Sequence, residues 1–252
     1  MVFRQLFEPV SSSYTYLLAC PITKLAVLID PVLGTSDRDF QIVKDLGLTL
    51  AFTLETHIHA DHITGGRKLK LLTGSKLAGP KLEGLVCVDH PVEEGIPLEV
   101  GSLRIHPLHT PGHTATHHSY WLDNGTQPML FTGDALLIDG CGRTDFQVGD
   151  AATLYRSVID KLFTLPDDTL VYPGHDYQGR CVSSIAQEKR RNPRLGAGKT
   201  LPEFVEIMSN LNLPKPLMMD FAIPGNQTCG QCPPNIPPEL KGPCELEMPI
   251  QG

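Results

Sequence analysis

The chain has 252 residues, which is long enough to bury a sizeable core in one large or two small domains. Its composition, 41% hydrophobic and 19% charged, is typical of a soluble globular protein. The net charge of -7 argues against nucleic acid or an anionic membrane as partner, because either would require a basic excess. No apolar run approaches the roughly 18 residues of a membrane span. The first nine residues resemble neither a signal peptide nor a transit peptide, so we expect a cytoplasmic location.

The first part of the chain alternates strands and a helix. Short apolar runs at 15–18 and 25–29 predict adjacent strands. Ser36 is a suitable cap for a helix that runs to about residue 46, and a strand at 48–53 follows. This strand–helix–strand order predicts a layered α/β arrangement.

The remainder of the chain is predicted to contain more strands, several helices and a tail. Strands are predicted at 85–88, 98–100, 103–107, 119–122, 128–131 and 169–172. Helices are predicted at 150–163, at 178–191, from Pro202 to about 210, and from Lys68, the last being followed by a turn that reaches 77. From 213 onward the chain is rich in Pro and Gly. We therefore expect a domain over 1–212 and an irregular tail over 213–252, packed on the domain or partly disordered.

The seven cysteines are scattered along the chain. An odd number without a secretory signal predicts reduced thiols. Cys229 and Cys232 form a single CxxC pair, which is typical of half a zinc site, a redox pair or a simple turn. The Pro-rich sequence after the pair favours the turn.

The most informative stretch is Thr56-His57-Ile58-His59-Ala60-Asp61-His62. Four potential metal ligands, His57, His59, Asp61 and His62, lie within six residues, directly after a predicted buried strand. The loops that follow strands are where α/β proteins usually build their sites. Imidazole and carboxylate groups together are ligands of Zn, Fe and Mn. The stretch therefore predicts a metal site.

Three further strand ends carry a histidine or an aspartate. His113, Asp134 and His175 each follow a predicted strand and a small or turn residue. Metal sites are commonly assembled in this way because a sheet holds its ligands rigidly. Asp30, at the end of the strand at 25–29, is either a turn residue or an acid that supports the site.

These motifs resemble the metallo-β-lactamase superfamily over roughly residues 27–175. The matching motifs are Thr-His-x-His-x-Asp-His, Thr-Pro-Gly-His-Thr, Thr-Gly-Asp and Pro-Gly-His. The resemblance implies an α/β (α+β) fold, an αββα sandwich of two mixed β-sheets flanked by helices. It places the metal site at one edge of the sandwich.

Within this superfamily, the chain resembles the persulfide dioxygenase branch more than the glyoxalase II branch. The stretch Cys141-Gly142-Arg143-Thr144-Asp145-Phe146-Gln147 looks like the dioxygenase pattern, as do Pro-Gly-His-Asp-Tyr at 173–177, Asn-Pro-Arg-Leu at 192–195 and Leu-Pro-Lys-Pro at 213–216. The stretch Ala115-Thr116-His117-His118 departs from the pattern, which has a glycine-containing turn there. His117 and His118 are expected to lie at the start of a strand.

The two branches imply different metal sites. Seven nitrogen and oxygen donors would support two Zn, two Fe or a mixed pair, and the hydrolase uses two metals to clamp a hydroxide that attacks a thioester. The dioxygenase uses one Fe(2+) held by two His and one carboxylate. By resemblance these three ligands are His57, His113 and Asp134. The other four residues, His59, Asp61, His62 and His175, would then orient ligands or, in the hydrolase, hold the second metal.

The resemblance also implies a reaction and its partners. The expected reaction converts glutathione persulfide, O2 and water into sulfite and glutathione; the alternatives are a dinuclear hydroxyacylglutathione hydrolase and a non-enzymatic sensor. Arg143 suits a substrate carboxylate, and Tyr177 could donate a hydrogen bond near the metal. A structural ion pair of Arg143 and core packing of Tyr177 remain alternatives. A homodimer and a functional partner such as a rhodanese or a sulfide:quinone oxidoreductase are further expectations.

Overall fold

Two six-stranded sheets form the centre of the protein. The computed structural model describes residues 1–123, 125–242 and 244. The first sheet has the order β1-β2-β3-β4-β5-β6. Its strands are β1 (Val2–Glu8), β2 (Ser13–Ala19), β3 (Leu25–Ile29), β4 (Thr49–Leu54), β5 (Lys76–Pro80) and β6 (His90–Val92). Strands β1 to β3 pair antiparallel and β3 to β6 pair parallel, so this sheet is mixed.

The second sheet has the order β12-β11-β10-β9-β8-β7. Its strands are β7 (Leu98–Val100), β8 (Leu103–His109), β9 (His118–Leu122), β10 (Met129–Gly133), β11 (Leu170–Pro173) and β12 (Ser183–Ser184). Only β10 and β11 pair parallel, so this sheet is also mixed.

Helices cover the outer faces of the two sheets. The helices are α1 (Ser36–Asp45), α2 (Gly66–Thr73), α3 (Ala151–Arg156), α4 (Ile185–Arg191), α5 (Leu201–Ser209), α6 (Met219–Gln227) and α7 (Pro238–Lys241). Ala222 of α6, by contrast, packs with Leu33 and Ile63, which lie outside the strands. Leu17 and Leu28 of the first sheet pack with Val43 of α1, whereas Leu130 of the second sheet packs with Phe204 of α5. No helix of the described residues is long and apolar enough to cross a membrane.

The main core fills the space between the sheets. Tyr16 and Ile29 of the first sheet and Ile105, Tyr120 and Phe131 of the second belong to one fully or nearly fully buried cluster. These residues alternate with outward-facing ones along their strands, as sheet packing requires. The helix–sheet–sheet–helix layering confirms the predicted αββα sandwich.

Several local predictions are confirmed by the structure. Strands β3, β7 and β8 and helix α1 lie at or within about a residue or two of the predicted positions. Helix α5 begins with a capping box, in which the backbone N–H and the hydroxyl of Thr200 both donate to the Glu203 carboxylate. Strands β9 and β10 lie within two residues of the predicted positions and pair antiparallel, and Asn124 in the connection between them lies outside the described residues.

Other local predictions were wrong, and tertiary packing explains why. Residues 85–88 form a loop with Val86 fully exposed, and the strand begins only at His90. The turn predicted to reach Leu77 instead leads into β5, which begins at Lys76 and is buried between β4 and β6, although Gly79 and Pro80 disfavour strands. The edge strand β1 was missed. The helix predicted at 178–191 begins only at Ile185, where the Ser184 hydroxyl caps it.

The tail and the cysteines also differ from expectation. Helices α6 and α7 lie within the segment that was predicted to be irregular. Residues 243 and 245–252 lie outside the described residues, and the boundary at 212 stays a prediction. Disulfides join Cys87 to Cys229 and Cys232 to Cys244, so the prediction of reduced thiols is wrong for these four. The CxxC cysteines therefore bond to distant partners, not to each other.

Candidate metal centre

The strand ends that carry the predicted ligands meet at one edge of the sandwich. His57 follows β4, His113 follows β8, Asp134 follows β10 and His175 follows β11. All four side chains line the same cavity. The sheets thus bring together residues that are far apart in sequence, as predicted.

His57, His113 and Asp134 form a compact set of donors. Each residue offers one ligand atom, and these atoms all lie within 4.8 Å of one another. The Nε2 atom of His113 lies 3.5 Å from Oδ2 of Asp134. Two imidazoles and one carboxylate are the donor set of mononuclear non-heme iron sites.

Hydrogen bonds fix the orientation and tautomer of both histidines. The Thr56 hydroxyl donates to Asp30 at 2.8 Å, so its oxygen accepts from Nδ1 of His57 at 2.9 Å. Nδ1 of His113 donates to the carbonyl of Arg143 at 2.7 Å. In both rings the lone pair for a metal is therefore on Nε2. Such outer contacts orient metal ligands and raise their basicity.

The charge states of these groups suit a cation. Burial lowers the pKa of His57 well below its usual value, and the nearby histidines lower it further, so the ring is neutral and able to bind metal. Burial alone would raise the pKa of Asp134, but the charge and hydrogen bond of His175 lower it. Asp134 is therefore an ionised carboxylate.

The other four predicted ligands are bonded differently. Oδ2 of Asp61 lies 2.9 Å from Nδ1 of His62 and 2.9 Å from Nε2 of His175. Nδ1 of His175 lies 2.7 Å from Oδ1 of Asp134. Burial opposes a charge on His175, but Asp134 and Asp61 raise its pKa well above the usual value. These side chains thus form a charged network that supports Asp134.

His59 lies beside this network, since one atom each of His59, Asp61 and His62 lie within 4.8 Å of one another, but it also contacts two further carboxylates. Its Nε2 lies 3.2 Å from Asp30 and 3.5 Å from Glu55. Burial would lower the pKa of His59, but these two carboxylates raise it well above its usual value. Asp30 also accepts from the backbone N–H of Thr56, which favours its supporting role over that of a simple turn residue.

Sequence reasoning missed several residues that support the site. His117 precedes β9 as expected, but it is fully buried, and its Nε2 accepts from the backbone N–H of Asp134 at 3.1 Å. The Ser13 hydroxyl lies within 3.3 Å of Asp61, His62 and His175. Gly133 must be small, because a Cβ there would lie 2.6 Å from His117. A histidine just before a strand was the available signal for His117.

A cavity of about 1070 Å³ opens above the cluster. Arg143, Tyr177 and Arg194 line it, together with the segment 213–219 that precedes and enters α6. Cavities that bind small ligands typically measure about 300–1,000 Å³. The volume therefore admits a ligand of peptide size beside the metal centre.

Comparison with known proteins identifies the family. Residues 9–175 match the family model of the metallo-beta-lactamase superfamily. Human "Persulfide dioxygenase ETHE1, mitochondrial" is 50% identical over 231 residues, which cover 91% of this chain and 89% of that protein. The crystal structure of ETHE1 from Myxococcus xanthus has 53% identity and a TM-score of 0.87, covering 91% of this chain and 100% of that one. The chain belongs to the metallo-beta-lactamase superfamily, in its persulfide dioxygenase branch.

More distant relatives belong to the hydrolase branch. A hydroxyacylglutathione hydrolase of Polaromonas sp. strain JS666 is 38% identical over 195 residues, which cover 75% of this chain and 70% of that protein. The lower identity and shorter match agree with the motifs that separated the two branches.

The two residues predicted to bind the substrate, Arg143 and Tyr177, have different surroundings in the structure. The guanidinium of Arg143 is bidentate on Asp145, with two 2.7 Å bonds, and also donates to the carbonyl of Pro214. The ion-pair alternative for Arg143 is therefore present. Tyr177 is 73% exposed and stacks on His175 at 6.0 Å, so it is not a core residue. Arg194 donates to the carbonyl of Cys141 and has no carboxylate partner among the described residues.

Proposed function

We propose that this chain is a glutathione-dependent persulfide dioxygenase with one Fe(2+) held by His57, His113 and Asp134. The proposal rests mainly on the way in which the structure separates the seven candidate ligands into two groups. One atom each of His57, His113 and Asp134 lie within 4.8 Å of one another, and Nδ1 of both histidines is hydrogen-bonded, which leaves Nε2 for a metal. The other candidates contact carboxylates: Asp61 bonds to His62 and His175, and His59 lies beside Asp30 and Glu55, although His59, Asp61 and His62 also lie within 4.8 Å of one another. The hydrogen bonds that tie this second group to Asp134 through His175 support one metal over two.

The donor set fits ferrous iron. Two imidazoles and one carboxylate leave positions for both substrates, and Fe(2+) bound there would supply the redox chemistry with O2. The protein holds the geometry. His117 and His175 fix Asp134 from its backbone and its carboxylate, respectively. A second metal on Asp61 and His175 would displace the hydrogen bond between them, which helps to hold His175 against Asp134.

The proposed reaction is balanced without a further reductant. One glutathione persulfide, one O2 and one water give one glutathione, one sulfite and two protons. The terminal sulfur loses the four electrons that O2 accepts. Holding the persulfide and O2 in one cavity makes the reaction effectively intramolecular.

The cavity offers cations for the two carboxylates of glutathione. Arg194 has donors that no described carboxylate occupies, so it is the proposed anchor for one carboxylate. Arg143 binds the substrate either after the substrate carboxylate displaces Asp145 or while the ion pair between Arg143 and Asp145 stays intact. The exposed Tyr177, stacked on His175, donates a hydrogen bond near the reacting sulfur.

Oxygen consumption tests the proposal. Purified protein loaded with Fe(2+) should consume O2 only when glutathione persulfide is present, and sulfite should form in equal amount. Hydrolysis of S-lactoylglutathione should be negligible. The alternative, a dinuclear hydrolase, is favoured by the presence of all seven ligand positions, and it predicts rapid thioester hydrolysis with no O2 consumption.

We further propose a cytoplasmic location, a homodimer, and a rhodanese or a sulfide:quinone oxidoreductase as functional partner. The two disulfides weigh against a reducing compartment. Alkylation of thiols during lysis of cells directly into denaturant tests the location, because the free thiols Cys20 and Cys141 are buried in the folded protein. Five or more alkylated cysteines per chain would mean that at least one disulfide is open and would support a cytoplasmic pool. Three alkylated cysteines would place the protein in an oxidising compartment.

A further inference from the structure

Asn226 of α6 binds the backbone of residues 55–65, here called the ligand loop. Its Nδ2 donates to the carbonyls of His59 and His62 at 2.9 and 2.8 Å. Its Oδ1 accepts from the backbone N–H of Thr64 at 2.9 Å. Asn226 is buried, and Thr64, the residue whose N–H it accepts, is 162 residues away in sequence. One amide thus satisfies three buried backbone groups, which would otherwise be unpaired.

The part of the ligand loop that Asn226 holds is connected to the metal centre. Asp61 lies between the two carbonyls that Asn226 binds, and it contacts His175 at 2.9 Å. His175 in turn contacts Asp134 at 2.7 Å. A displacement of the ligand loop would therefore change the orientation of the Asp134 carboxylate.

A disulfide attaches the end of α6 to the body of the protein. Cys229 lies just after α6 and is bonded to Cys87, which lies in the loop between β5 and β6. The next residue, Gly230, has φ +95, and a Cβ there would lie 2.5 Å from the carbonyl oxygen of Thr64. The chain after α6 is therefore packed directly against the ligand loop.

We propose that Asn226 is a positioning residue for the metal centre and that the Cys87–Cys229 disulfide, when formed, keeps it in place. The inference rests on the proposed one-metal centre. Only an amide supplies both functions at this position, because two carbonyls need donors and one N–H needs an acceptor. Asn226→Asp keeps the shape of the side chain but places a carboxylate against the two carbonyls. Asn226→Ala removes all three bonds.

Cobalt(II) binding to the metal-free protein tests the proposal. We expect Asn226→Asp and Asn226→Ala to bind cobalt about 10–100-fold more weakly, the range typical for outer contacts of metal ligands. The ligand-field absorption of bound cobalt should also change. With iron, kcat should fall while KM for glutathione persulfide stays nearly constant, because Asn226 does not line the cavity. The control Asn210→Asp makes the same change at an exposed helix end and should have no effect.

The disulfide is tested with two matched double variants. Cys87→Ser with Cys229→Ser should weaken cobalt binding in the same direction as the Asn226 variants. Cys232→Ser with Cys244→Ser removes the other disulfide and should leave cobalt binding unchanged. Loss of affinity in both double variants alike would overturn the role of the first disulfide.

The outcomes separate the two proposals. Wild-type affinity and absorption in folded Asn226→Asp would overturn the positioning role, and this variant decides the question if Asn226→Ala does not fold. Two cobalt ions per wild-type chain would instead overturn the one-metal centre. A change in melting temperature of the metal-free variants without any change in cobalt affinity would show that Asn226 is only structural.

Discussion

The number of metal ions per chain is the most discriminating prediction. His57→Ala removes one of the three donors that lie within 4.8 Å, together with the bond that connects His57 to Thr56. Bound iron should fall from about one per chain to nearly zero. His62→Ala leaves all three donors in place and removes hydrogen bonds to Asp61, at 2.9 Å, and to Ser13, at 3.3 Å. The loss of such a contact typically costs 10–100-fold in affinity or activity, so this variant should still bind about one iron when metal is supplied.

The measurement is elemental analysis of protein purified with supplied iron. His62→Ala is the matched control for His57→Ala, since both replace a buried histidine of the ligand loop by the same residue. Circular dichroism of the metal-free forms shows whether each variant is folded. Two metals in the wild type, falling to one in His62→Ala, would falsify the division of ligands described above.

Three further predictions concern the cavity, the disulfide and the charged network. Arg194→Gln should raise KM for glutathione persulfide about tenfold to a hundredfold, because a charged hydrogen bond contributes roughly 1.5–3 kcal/mol. Arg143→Ala should raise KM less, since the substrate must displace Asp145 to reach Arg143. An unchanged KM for both variants in steady-state kinetics would exclude these contacts. Removal of the Cys87–Cys229 disulfide, which spans 142 residues, should lower the melting temperature by about 10 °C, because chain entropy favours the crosslinked form by about 5 kcal/mol; equal melting of the variant and the wild type without reductant would contradict this. In the metal-free protein, burial by itself would raise the pKa of Asp61, but His62 and His175 lower it well below 3.8. Burial would lower the pKa of His175, but Asp134 and Asp61 raise it well above 6.5. The pair therefore stabilises the fold fully between about pH 4.5 and 6.5, and this contribution is lost as the pH falls through the lowered carboxyl pKa or rises through the raised imidazole pKa. Urea unfolding of wild type and Asp61→Asn should differ most in that window, and a constant difference from pH 2 to 9 would refute the assignment.

The sequence by itself determined the fold class and the position of the metal centre. His57, His59, Asp61 and His62 are neighbours in the chain, so their clustering did not depend on tertiary structure. The apolar strands before them are local patterns, and strand ends of one sheet lie at a common edge. Three further strand ends added His113, Asp134 and His175, which the motif resemblance also indicated and which the structure brings to the same cavity.

The tertiary structure decided how those seven residues are divided. His57 and His59 have the same local sequence context, yet His57 lies beside His113 whereas His59 lies beside Asp30 and Glu55. The outcome depends on which charges the sheets place around each ring, and a linear pattern of residues does not contain that information. Burial and neighbouring carboxylates then set the protonation states.

The dependence on packing between distant segments also explains three other features of the structure. Asn226 lies in a segment without periodicity, and its role exists only because α6 folds back on the ligand loop. The pairing of Cys229 with Cys87 crosses 142 residues, and local spacing favoured a turn. Arg143 fits a carboxylate by its chemistry, but the structure supplies one from its own chain, two residues away. Sequence specifies which groups are present, whereas packing of distant segments decides which group each one meets.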